Sequence, residues 1–119
     1  MSVAKVVVTG IGVVSPIGHT TDTILDNLRE QRHNFKRLPG YVDFKRSKVV
    51  VGTDIPNFET HSRLIEDWTC PYPTSFSKDE LRSLNPHTYY AYQATRKALK
   101  EADLSTKELG EETGLFTAS

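Results

Sequence analysis

Val6-Val7-Val8-Thr9-Gly10-Ile11-Gly12-Val13-Val14-Ser15-Pro16-Ile17-Gly18 is the stretch on which the fold turns. Val6, Val7 and Val8 are β-branched, which favours extended backbone. Their unbroken apolarity suits a strand covered on both faces, as in a parallel sheet. A strand is therefore expected over residues 5–9. Gly10 and Gly12 interrupt it, and Ser15-Pro16-Ile17-Gly18 has the composition of a turn. A helix is expected over 21–31, where Ile24, Leu25 and Leu28 share one face and Asp22 complements the positive end of the helix dipole. Strand, glycine loop and helix in that order predict α/β architecture.

The same glycines admit a nucleotide-binding reading. Gly10-Ile11-Gly12-Val13-Val14-Ser15 has the form of a dinucleotide loop placed after a strand. Two features oppose that use. Ser15 stands where the third glycine belongs, and Pro16 interrupts the helix whose N-terminus would hold a pyrophosphate. Glu30 sits at about the spacing of a ribose-binding acid, but inside the expected helix rather than after a second strand. The glycines and Ser15-Pro16 read better as a strand-to-helix corner.

Further along, Arg29, Arg32, Lys36, Arg37, Lys45, Arg46 and Lys48 stand against only Glu30 and Asp43. A basic run of this kind is a solvated face or a landing site for an acidic partner. A second strand is expected over 48–51, ending at Gly52. Residues 53–76 contain three of the six prolines and read as loop, with one helical turn near 63–67. Ser77-Lys78-Asp79-Glu80 has capping-box spacing and predicts a short helix to about Leu84. Asn85 as cap and Pro86 at the first helical position predict another, reaching about Ala102. Along it His87, Ala91, Ala94, Ala98 and Ala102 form a stripe of mostly small side chains. Such a stripe lets another element approach closely, and His87 is expected to be packed and hydrogen-bonded there. A third strand is expected over 113–118.

Composition narrows the function classes. The 119 residues include 15 Lys+Arg and 15 Asp+Glu, a formal net charge of zero, which argues against a dedicated nucleic-acid binder. No run approaches the ~18 apolar residues of a membrane span, and MSVAKVVVTG does not read as a signal peptide. The lone cysteine, Cys70, has no internal disulfide partner and is neutral about compartment, so a cytoplasmic location is the default. Cys70 in Trp68-Thr69-Cys70-Pro71-Tyr72 reads as a half-buried loop thiol, because reactivity requires an electropositive setting. His19, His33, His61 and His87 show no HxxxH spacing, so neither a metal site nor a bound cofactor is expected.

The whole string from Val6 to Gly18 resembles the N-terminal signature of the β-ketoacyl-(acyl-carrier-protein) synthases, a hydrophobic strand followed by V-T-G-x-G-x-x-S-P-x-G. The resemblance extends loosely to Lys78-Asp79-Glu80-Leu81-Arg82, to the alanine-rich helix closing in Glu-Ala-Asp-Leu, and to Thr113-Gly114-Leu115-Phe116-Thr117-Ala118-Ser119. It implies the opening part of a thiolase-like layered α/β fold, a single domain of which 1–119 is an incomplete portion. Family members condense acyl and malonyl thioesters in fatty acid or polyketide biosynthesis, using a nucleophilic Cys and two His. The resemblance places that cysteine and those histidines beyond this chain, so no residue here is carried over as catalytic and the chain alone is expected to be inactive. It also places Lys78 and Arg82 at positions where members dock acyl carrier protein, and implies a homo- or heterodimer. Two departures stand out: Leu84-Asn85-Pro86-His87 where the family enters its long helix differently, and Asp103 where it favours glycine. Both suit a divergent member such as a non-catalytic chain-length-factor partner. A small nucleotide-binding module is the remaining alternative.

Overall fold

The computed structural model describes residues 4–37, 50–72 and 74–118. Lys45, Arg46, Lys48 and Asp43 of the basic run, the start of the expected 48–51 strand, and Ser119 lie outside the described residues.

The elements run α1 (Thr21–Arg29), β1 (Lys36–Arg37), β2 (Val51–Gly52), a 3-10 turn (Ile65–Asp67), α2 (Lys78–Ser83) and α3 (Pro86–Glu101). β1 and β2 pair antiparallel, Lys36 opposite Gly52 and Arg37 opposite Val51. Helix starts follow the capping chemistry of the sequence. The Thr20 side chain accepts from the Thr23 N–H at 3.2 Å, and Asn85 Oδ1 accepts from the Thr88 N–H at 2.9 Å with Pro86 in the first turn. Ser77 and Glu80 complete the expected capping box, with the Ser77 N–H donating to Glu80 Oε2 at 2.7 Å.

Both longer helices end in the same device. The Arg32 N–H reaches the Asn27 carbonyl and the Gln31 N–H the Leu28 carbonyl, with Gln31 in the left-handed region at φ 54°. In α3 the Leu104 N–H reaches the Leu99 carbonyl and the Asp103 N–H the Lys100 carbonyl, with Asp103 at φ 55°. These are Schellman closures, whose turning residue is most often glycine. The left-handed turn at Gln31 explains why α1 stops short of the expected residue 31. It also gives Asp103 a physical meaning: the residue is a left-handed cap, where glycine is usual, filled here by a side chain that tolerates it less well.

The long-range packing centres on α3. A Cβ placed on Gly10 would strike the Ala98 carbonyl oxygen and come within 2.8 Å of the Ala102 nitrogen. One on Gly12 would strike the Ala94 carbonyl oxygen and come within 2.7 Å of the Ala98 nitrogen. Backbone therefore lies directly on backbone, which requires glycine on one side and alanine on the other. The pairing also fixes direction: residues 10–12 run antiparallel to α3. On the neighbouring face, Phe58, Tyr89 and Gln93 are buried, with Trp68 and Phe76 packed on the Tyr89 ring at centroid distances of 5.8 and 5.9 Å.

Three expectations are corrected. Residues 5–9 and 113–118 make no ladder: Val6 and Phe116 are 95% and 96% exposed. β-branching prepares a segment to pair, but a strand exists only with a neighbour, and among the described residues none lies beside either one. His87 is exposed rather than packed. The glycine loop covers only the C-terminal half of α3, and the buried face of its first turns is that of Tyr89 and Gln93, so the stripe is uncovered at its N-terminal end.

Three stability measurements follow from this packing and from the helix closures. Gly12→Ala is expected to lose about 3 kcal/mol in urea unfolding, because neither backbone can give way as a side chain would. Gly110→Ala, with nothing within 4 Å of its added methyl, is expected to change stability by no more than about 0.5 kcal/mol. Asp103→Gly should instead stabilise the chain by about 1 kcal/mol, read as a higher urea midpoint at unchanged slope.

Candidate functional site

Two groups of long-range polar contacts are built on α3. The first is a node around Gln93, which is 1% exposed. A fully buried amide must find partners or lose the hydrogen bonds it had with water. Gln93 Nε2 donates to Thr74 Oγ1 at 3.0 Å and to the Tyr72 carbonyl at 3.2 Å, which uses both of its hydrogens. Its 3.7 Å contact with Cys70 Sγ is secondary. The sulfur has closer partners: the Tyr89 hydroxyl donates to it at 2.8 Å and the Tyr72 N–H at 3.3 Å, while the thiol donates to the Tyr72 carbonyl at 2.9 Å. Arg96 Nη1 donates to Thr74 Oγ1 at 2.6 Å.

Burial, and then the hydrogen bond to Cys70, push the Tyr89 hydroxyl up to about 12. The phenol is held neutral because its anion would lose water and face a sulfur. Cys70 is half-buried, and each of its hydrogen-bond partners among the described residues is neutral. A nucleophilic thiol needs a base or cation beside it, so this arrangement ties the 70–74 loop to α3 rather than activating the sulfur.

The second place is the corner from Val13 to His19. Lys97 Nζ donates to the carbonyls of Val13, at 3.3 Å, and of His19, and lies 4.4 Å from the centroid of the Tyr72 ring. One turn further, the Glu101 carboxylate accepts from the Ile11 N–H. His19 hydrogen-bonds through Nε2 to the Pro56 carbonyl at 2.7 Å. Lys97 thus holds the corner by its backbone at both ends, and Glu101 fastens the glycine loop just before it. Neither stood out in the sequence. The signal was available for Lys97: it is a cation flanked by Ala94 and Ala98 on the face that the glycines cover.

The residues singled out earlier do not converge. Lys78 and Arg82 both lie on α2, one turn apart and exposed; Arg82 Nη1 is 3.3 Å from Asp79 Oδ1, with side chains 81% and 89% exposed. Such a pair is worth about 0.5 kcal/mol and leaves the guanidinium accessible. His33, His61 and His87 are exposed and His19 is half-buried. Among the described residues no three His, Cys, Asp or Glu side chains are grouped as metal ligands. Among the described residues no helix is long and apolar enough to cross a membrane.

A glycine corner laid on an alanine-faced helix, with polar side chains used to fasten loops, defines a unit built by close backbone packing. The comparisons agree on which family it comes from. The profile of "Beta-ketoacyl synthase, N-terminal domain" matches residues 4–119, and the chain belongs to the β-ketoacyl synthase family. It is 30% identical to 3-oxoacyl-(acyl-carrier-protein) synthase 2 of Staphylococcus aureus (strain COL) over 104 residues, 87% of this chain and 22% of that protein. It is 24% identical to 3-oxoacyl-(acyl-carrier-protein) synthase 1 of Haemophilus influenzae over 112 residues, 93% of this chain and 24% of that protein. The chain thus spans less than a quarter of the length of these relatives. No solved structure matches it.

The Tyr89 node gives a pH signature. A hydroxyl whose folded pKa is raised to about 12 contributes stability that is complete below the unfolded value of 10 and is lost as pH rises through the folded one. Between pH 10 and 12 the unfolding free energy should fall about 1–2 kcal/mol further in the native chain than in Tyr89→Phe, both followed by denaturant titration.

Proposed function

We propose that this chain is the opening part of a 3-oxoacyl-(acyl-carrier-protein) synthase, supplying scaffold and a carrier-protein landing site while the condensing residues lie elsewhere in the protein. The observation that carries the reading is the fit between motif and structure. Gly10 and Gly12 of the Val6–Gly18 signature are the glycines that the α3 backbone requires, and the relatives to which the chain is similar are synthases by name.

The layered fold of the complete domain belongs to the same proposal. Residues 10–12 run antiparallel to α3, and the 113–118 segment follows the C-terminal end of that helix in the chain. A chain that returns along α3 from there runs parallel to residues 5–12. Two apolar segments joined through a helix in this sense form a βαβ unit, the building block of a sheet covered by helices. The exposure of Val6, Val7, Val8, Leu115 and Phe116 is what such strands show before their neighbours are in place.

The Glu101 carboxylate on the Ile11 N–H weighs against the nucleotide-binding alternative. A phosphate held by this loop would need that donor and would meet a carboxylate. The chain-length-factor alternative draws on Asn85-Pro86 and Asp103. Both now read as local helix-end chemistry, so neither speaks to the presence of a catalytic cysteine. A cytoplasmic location, a dimeric state and acyl carrier protein as partner belong to the synthase reading.

The direct assay supplies acyl and malonyl carrier-protein thioesters to the 119-residue chain. No 3-oxoacyl product should form, and measurable condensation would overturn the scaffold assignment. Carrier-protein docking is tested by titrating the chain with acidic acyl carrier protein. The double charge reversal Lys78→Glu with Arg82→Glu should weaken binding about tenfold at low salt, the scale expected of two rim charges. An unchanged affinity would remove both residues from the interface.

A further inference from the structure

We draw no further inference here: the strongest candidate, the open cavity of about 520 Å³ between the Pro16–Thr20 corner and the Pro56-Asn57 turn, offers one unpartnered buried atom, His19 Nδ1, on a residue only half-buried, and nothing in it selects a ligand.

Discussion

The contact of Gly10 and Gly12 with the backbone of α3 is the constraint on which the rest of the arrangement depends. A side chain at either position would occupy the space of a helix carbonyl. Closeness of this kind is available only where one partner has no Cβ and the other carries only a methyl, so the glycines and Ala94, Ala98 and Ala102 form a matched set. Once the loop is seated, its polar groups come within reach of the helix's longer side chains. Lys97 takes the carbonyls of Val13 and His19, and Glu101 takes the Ile11 N–H. The corner at Ser15–Gly18 is then held at both ends, closed by reciprocal backbone bonds between Ser15 and Gly18 at 3.1 and 3.2 Å.

Local features were the legible part of the sequence. Ser77 and Asn85 act as caps because their short side chains reach an N–H three residues on, an interaction that depends on nothing distant. The alanine stripe was legible as an invitation to close packing, although not which element would accept it. The two C-terminal closures were harder to see. Gln31 and Asp103 occupy a position where glycine is the usual signal, so periodicity alone extended α1 two residues too far.

Features that need a partner were not legible in the same way. Val6–Val8 and Leu115-Phe116 have strand composition, yet pairing is a property of two segments, and composition describes one. His87 illustrates the same limit on a helix. It shares a stripe with Ala94 and Ala98, but burial is decided by what lies opposite, and the glycine loop ends before reaching it. The Gln93 node was missed for the complementary reason. Nothing in the sequence marks a glutamine as the most buried side chain among the described residues, because its partners, Tyr72 and Thr74, lie in a loop with no periodicity.

A glycine loop after an apolar segment has two physical uses, and the groups facing the loop distinguish them. For a phosphate, glycine lets backbone N–H groups approach an anion at the positive end of a helix. Here glycine lets the loop approach the flank of a helix, where it meets carbonyl oxygens and methyl groups. The first helix after the loop begins at Thr21, beyond the Ser15–Gly18 turn, so its N-terminus does not follow directly from the glycines. Carbonyls and a carboxylate repel an anion, and the loop gains its stability from that crowded flank instead. The same spacing of glycines therefore serves packing in this chain.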